Sequence, residues 1–293
     1  MVAVESGSPL SGYLDAPGGV LARARDENFP VASRVLPADV RASLMAVYGF
    51  ARLADDLGDE AQGDRLALLD WLDSELDRAA AGDATHPVLQ RLSPVIRGLG
   101  LSLDPFRGLI EANRMDQHVR RYQSFDDLVG YCMLSAAPVG RLVLAVFGAA
   151  STERVALSDK VCIGLQLVEH LQDVGEDAAR GRIYLPLDDL GRFGCAEEEL
   201  LGASSGPALR GLVAMEVTRA RGLLAAGRPL AASLAFGPRV AVAGFAAGGI
   251  AALDAIGRAG NDVLRARCRP GRLGFARRVL PAFVAASLGR DGS

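Results

Sequence analysis

The chain has 293 residues, half of them hydrophobic, with a formal net charge of −3 and a pI near 5.7. This is ample for one sizeable core, and the slight acidity gives no reason to expect a nucleic-acid partner. Cys132, Cys162, Cys195 and Cys268 lie far apart without CxxC pairing. That spacing argues against a zinc or redox site and for reduced thiols in a cytoplasmic protein. The N-terminus lacks a basic start followed by an apolar run, so no signal peptide is expected.

Ala, Leu, Arg, Asp and Glu recur at helical spacing and strand signals are nearly absent, so the fold class is read as all-α. Residues 1–20 are rich in Gly, Ser and Pro and are expected to be disordered or loosely attached, with one folded domain over 21–293. Phe29 precedes Pro30, which disfavours helix and makes residues 26–30 a turn or flap. A helix then begins near Leu36-Pro37-Ala38-Asp39, with Asp39 as its expected cap. Further helices are predicted over 65–81, with Gly82 as the stop, over 87–99 and over 105–122. Residues 126–147 read as an apolar helix kinked at Pro138-Val139-Gly140. Residues 191–206 form a loop around a short acidic turn, 207–226 and 238–257 are the last large helices, and a basic tail follows. Gly244, Gly248 and Gly249 suit close helix packing there. The uncharged run 240–253 is too short to span a bilayer, which leaves only peripheral membrane contact.

Two stretches carry chemistry. In the first, Tyr48, Arg52, Asp55 and Asp59 follow spacings of four, three and four beside an apolar stripe of Val40, Leu44, Val47, Ala51 and Ala54. In the second, Gln166, Glu169, Asp173 and Asp177 share a helix face flanked by apolar residues on both sides. Stacked carboxylates repel one another and resist desolvation, so within a protein they call for a cation, and Mg²⁺ is the natural one. A hard ion bound by carboxylates keeps open positions for phosphate oxygens, which explains how an acidic pocket binds a diphosphate. One DxxxD helix is weak evidence, because exposed acidic faces are common; the pairing carries the argument. Arg52 and Arg182 are candidates to clamp diphosphate oxygens, or simply to neutralise the nearby aspartates. Tyr131 and Phe29 line a hydrocarbon cavity or belong to ordinary core. His86, His118 and His170 are too separated for a His-based metal site, and each reads as structural. No Rossmann glycine motif and no nucleophile elbow is present.

The segments Tyr48-Gly49-Phe50-Ala51-Arg52-Leu53-Ala54-Asp55-Asp56-Leu57-Gly58-Asp59 and Gln172-Asp173-Val174-Gly175-Glu176-Asp177, followed by Gly181-Arg182-Ile183-Tyr184-Leu185-Pro186, resemble the squalene/phytoene synthase family. The resemblance runs from about Asp26 to the basic tail. It implies an all-α isoprenoid synthase bundle with a central cavity, in which Asp55, Asp59, Asp173 and Asp177 hold Mg²⁺, with Glu169 added to the metal set. Arg52 and Arg182 would lie near the diphosphate, and Asn28, Phe29, Tyr48, Tyr131 and Gln166 along the substrate cavity. The segment around Phe29, the run from Tyr131 to Leu144 and Gln172 before Asp173 look most similar to the bacterial hopanoid-pathway branch. That branch converts presqualene diphosphate to hydroxysqualene, with partner enzymes supplying the substrate and reducing the product. Head-to-head condensation of two prenyl diphosphates is the alternative activity, and a non-catalytic isoprenoid-binding or scaffolding protein the second. The expected setting is the cytoplasm, with contact at the inner membrane face. Two departures stand out: Glu169 replaces the family's usual Asn, and Asn261 falls where relatives commonly place a Tyr.

Overall fold

The computed structural model describes residues 36–265. The expected loose N-terminus, the flap with Asn28 and Phe29, and the basic tail beyond Arg265 lie outside the described residues. The regular elements among them are all helices, apart from one isolated bridge between Arg121 and Ile183, which meets the all-α expectation. They divide into two compact units. One runs to His118 and includes Arg141–Ala149; the other comprises Val119–Gly140 and the residues from Ala150.

In the first unit, α1 (Ala38–Asp55) runs into a π-helical turn (Asp56–Glu60). Its N-cap is Pro37, without a side-chain cap hydrogen bond, so Asp39 sits in the first turn instead of capping it. There the carboxylate still faces the positive end of the helix dipole. Helix α2 (Arg65–Ala81) begins at Asp64, whose side chain accepts from Ala67 N–H at 3.1 Å, and ends at Gly82 with φ 96°. Leu69, Leu72 and Leu76 are fully buried on its inner face, each stabilising the unit by roughly 1.5–3 kcal/mol. Helix α3 (Pro87–Leu99) starts at His86, whose Nδ1 accepts from Val88 N–H and whose ring meets Trp71 edge-on. This is the structural role expected of that histidine.

Helix α4 (Asp104–Met115) is shorter than the predicted 105–122. Gln117 and His118 close the chain in turns onto Arg114 and Met115. Arg120 C=O then accepts from Ile183 N–H, so this stretch leaves the helix to meet another segment. Helix α1 packs on α3 and α4, and α2 on the same pair. Phe50 and Phe106 lock α1 to α4 edge-to-face, with centroids 4.9 Å apart.

In the second unit, the predicted helix 126–147 is two: α5 (Phe125–Ser135), capped by a Ser124–Asp127 box, and α6 (Ala137–Val146), whose later part belongs to the first unit. The break at Ala136 follows from Pro138, which has no N–H for Leu134 and whose ring crowds that carbonyl. Helix α7 (Thr152–Gln172) is the unit's axis, packed against α5 and against three later helices, α10 (Pro207–Leu224), α11 (Gly227–Ala232) and α12 (Phe236–Arg258). Close approach comes from small residues. A Cβ on Gly164 would stand 3.2 Å from Ala220 C=O, and one on Gly249 would stand 2.8 Å from Leu165 Cδ2. Gly244, expected to pack in the same way, has nothing within 4 Å of such a Cβ.

Helix α12 is longer than the uncharged run 240–253. By length and hydropathy alone it passes for a membrane span, but half of its most apolar window is buried within the protein. Past its end Asn261 takes φ 59°, the left-handed region in which Asn is enriched over most other residues.

Between α7 and α10 come α8 (Val174–Ala179), α9 (Leu187–Phe193) and a 3₁₀ turn (Glu197–Leu201). Helix α9 is fixed to α10 by Arg219, which pairs with buried Asp189 and with buried Glu216 at 2.5 Å and lies 4.4 Å over the Phe125 ring. Burial pushes the Glu216 carboxyl up to about 7 from its ordinary 4.5, against the opposing pull of Arg219. The folded chain therefore binds a proton that the unfolded chain releases above about pH 4.5, and this stability is lost as pH rises through 7. Replacing Glu216 with Gln is expected to flatten the fall in stability between pH 5 and 8 by on the order of 3 kcal/mol, as read by denaturant titration across pH. An unchanged slope would contradict the assignment.

Candidate functional site

The first acidic group sits where α1 turns π-helical. A π turn spaces backbone bonds one residue wider, as in Ala61 N–H to Asp56 C=O at 2.9 Å. Asp55 therefore closes the α-helix while Asp59 belongs to the wider turn, so the two are not one plain i,i+4 pair. Arg52 pairs with Asp56 at 2.9 Å and Glu60 at 3.2 Å, which realises the neutralising role weighed for it. Asp55 is accessible at its outward side yet surrounded by dense protein. That desolvation pushes its carboxyl up to about 6, while the Asn113 hydrogen bond and Arg52 pull it back.

Two amides hold this turn, Asn113 of α4 and Gln117 in the turn just past its end, and sequence reasoning singles out neither. Asn113 is buried and donates to Asp55 Oδ1 at 3.3 Å and to Leu109 C=O at 3.1 Å. Gln117 donates to Gly58 C=O at 3.0 Å. Gly58 backs directly onto Asn113, where a Cβ would overlap the amide oxygen. The available signal is the i,i+4 spacing of Asn113 and Gln117 in a stretch that reads as helix from sequence, although the helix itself ends at Met115.

The second acidic group lies where α7 ends. The predicted continuous helix through Asp177 breaks at Asp173, with φ −112° and ψ 14°, and α8 restarts at Val174. Asp177 N–H bonds back to Asp173 C=O at 2.8 Å, so the two aspartates remain neighbours in the chain path. Of the predicted flanks Val161, Leu167, Val168, Leu171 and Val174 are buried and Leu165 is half-buried, whereas Glu169 is exposed and Gln166 half-buried. Burial pushes the Asp177 carboxyl up to about 7; Asp173 and Glu176 add to the rise, and Arg180 and Arg182 oppose it.

Tyr131 is buried within an aromatic cluster. Tyr122, Tyr184 and His170 surround it at centroid distances of 5.3, 5.7 and 6.3 Å, and His170 stacks on Tyr184 at 3.9 Å. Burial drives the His170 imidazole down to about 3, so the ring is uncharged. Tyr48 is half-buried on α1.

Among the described residues no three of His, Cys, Asp and Glu converge as a ready cage for a metal. What is present is two sets of hard carboxylate oxygens, one member of each driven upward by desolvation. This donor chemistry fits Mg²⁺, which binds one or two carboxylates and completes its shell with water and phosphate oxygens.

Comparison with known proteins adds to this geometry. Residues 22–274 match the squalene/phytoene synthase family. The chain is 40% identical over 214 residues to a hydroxysqualene synthase of Rhodopseudomonas palustris, covering 72% of each chain. It is 34% identical over 210 residues to a phytoene synthase of Arthrospira platensis, covering 67% of this chain and 68% of that one. Among solved structures, the squalene synthase HpnC from Alicyclobacillus acidocaldarius superposes with a TM-score of 0.78 at 43% identity, covering 82% of this chain and 92% of that one.

The clamp on the first acidic group makes a measurable prediction. Gly58→Ala and Asn113→Leu each disturb the same contact, so each should lower the unfolding free energy by about 1–3 kcal/mol. The double variant should lose clearly less than the sum of the two. Strict additivity in denaturant unfolding would show that the two residues do not act together.

Proposed function

Since this chain belongs to the squalene/phytoene synthase family and is an enzyme of isoprenoid biosynthesis, we propose that it converts presqualene diphosphate to hydroxysqualene, with Mg²⁺ as cofactor and release of diphosphate. The observation that carries the substrate class is the pair of carboxylate groups, each accompanied by arginine, one at Asp55 and Asp59 and the other at Asp173 and Asp177. Similarity to a hydroxysqualene synthase over 72% of the chain supports the choice of reaction.

In this reading Asp55, Asp59, Asp173 and Asp177 would hold the metal ions, with Glu169 as a further carboxylate. Bound Mg²⁺ supplies charge that neutralises the diphosphate and stabilises it as a leaving group. Arg52 and Arg182 orient the diphosphate oxygens through charge-assisted hydrogen bonds. Asn113 and Gln117 keep the Asp55–Asp59 turn in one shape, so the carboxylates need no reorganisation when the substrate arrives. Tyr48, Tyr131 and Gln166 line the hydrocarbon chain, with Asn28 and Phe29 assigned there by sequence alone. Aromatic faces stabilise positive charge on the substrate while excluding stray water. The reaction closes when water adds to the rearranged cation.

A second reading, head-to-head condensation of two prenyl diphosphates, is favoured by the similarity to a phytoene synthase. In either case substrate and product are lipids. We therefore propose a cytoplasmic enzyme in peripheral contact with the inner membrane face, working beside enzymes that supply its diphosphate and reduce its product.

Purified protein should turn presqualene diphosphate into a C30 alcohol in the presence of Mg²⁺, lose this activity with a chelator, and leave farnesyl diphosphate untouched, as followed by mass spectrometry. Consumption of farnesyl diphosphate would establish the condensing reading instead. Asp173→Asn should lower kcat by at least about a hundredfold, on the order of 3 kcal/mol of transition-state stabilisation. It should do so with little change in thermal stability, because it opens no cavity.

A further inference from the structure

The reaction proposed above must exclude water until the cation has rearranged and then deliver one water to it. A residue of the second unit meets that requirement by its surroundings. His170 is 8% exposed, stacked on Tyr184 with planes 18° apart. Its Nε2 is buried and has no hydrogen-bond partner within the described protein. An unsatisfied buried ring nitrogen is costly, and the usual remedy where the protein offers no partner is an ordered water. Beside it lies a small cavity of about 10 Å³, lined on its polar side by His170, Asp177, Arg182 and Tyr184 and closed by apolar Val174 and Leu200. That volume is at the lower limit for a single water, and His170, Asp177, Arg182 and Tyr184 are the residues of the lining from which it would take polar partners.

We propose that this cavity is a water-binding site and that His170 is the positioning residue that holds the water which quenches the substrate cation. The proposal rests on the water-quenching reading of the reaction. Asp177 and Arg182 share the cavity wall and are also the groups assigned to the diphosphate end, so the held water lies at the end from which the leaving group departs. Chemically, a lone pair of the water oxygen forms the new C–O bond to the cationic carbon. The extra proton on that oxygen passes to the released diphosphate, and no oxidant or reductant is consumed. Without a held water, the same diphosphate removes a proton from the carbon next to the cation, and a C30 hydrocarbon forms in place of the alcohol. His170 thus decides between addition and elimination and leaves the preceding ionisation alone.

The test compares wild type, His170→Phe and His170→Asn with presqualene diphosphate in ¹⁸O-labelled water, following diphosphate release and the C30 products separately. Phe keeps a flat ring for the stack on Tyr184 but removes the nitrogen; Asn loses the ring but restores a polar partner for water. Wild type is expected to give alcohol carrying the label. His170→Phe should release diphosphate at close to the wild-type rate while its alcohol-to-hydrocarbon ratio falls about tenfold, the factor that corresponds to about 1.4 kcal/mol, and His170→Asn should recover much of that ratio. If the Phe variant does not fold, as judged by circular dichroism, His170→Met removes the nitrogen with a more adaptable side chain and carries the same comparison. An unchanged ratio in the nitrogen-less variant overturns the proposal. So does a loss of diphosphate release at constant ratio, which would assign His170 to packing or to the metal site. Failure of the underlying reading is distinct, since wild type itself would then yield no alcohol.

Discussion

The structure depends on how like-charged carboxylates are kept together amid protein. Asp55, Asp56 and Asp59 crowd one turn, and Asp173, Glu176 and Asp177 another. Desolvation drives one member of each group well above the usual carboxylate range. Such an arrangement is unfavourable for the folded chain alone and persists because the surroundings partly offset it. Arg52 answers Asp56 and Glu60, Asn113 answers Asp55, and Arg180 and Arg182 answer Asp177. What remains uncompensated is negative charge crowded into each of the two turns, and the proposed metal–diphosphate ligand is what would offset it.

The same constraint shapes the backbone. In neither acidic group does a regular α-helix carry all the aspartates: α1 widens into a π turn before Asp59, and α7 breaks at Asp173. Each irregularity is then held from outside. Asn113 of α4 and Gln117 just past it hold the first, and the Arg121–Ile183 bridge ties down the chain that follows the second. Behind α7 the small residues Gly164 and Gly249 bring neighbouring helices into close contact, which fixes the axis from which the second acidic group projects.

Much of this was legible in the amino-acid pattern. The helices Arg65–Ala81 and Pro87–Leu99 follow from Leu spacing, Pro87 at the first helical position and Gly82 as a stop, each a local signal. The break near Pro138 follows from its missing N–H. Less legible were features set by distant partners. Helix α4 gives up its last predicted turns because Arg120 pairs with Ile183, more than sixty residues away, and periodicity is blind to such a contact. The acidic stripe at Gln166, Glu169, Asp173 and Asp177 reads as one helix because its spacing is regular, although the backbone turns at Asp173. Asn113 and His170 acquire meaning only from what faces them, a carboxylate and a glycine in one case, a tyrosine and a small cavity in the other.

The claim on which the account stands is that the two acidic groups bind divalent cations together with diphosphate. Mn²⁺ in place of Mg²⁺ allows this to be read directly by electron paramagnetic resonance, titrating the protein with inorganic diphosphate present and absent. The account predicts bound Mn²⁺ that tightens with diphosphate in the wild type and weakens about tenfold or more when Asp55 and Asp177 are both replaced by Asn, with the fold retained. Equal Mn²⁺ binding by wild type and the double variant would contradict it.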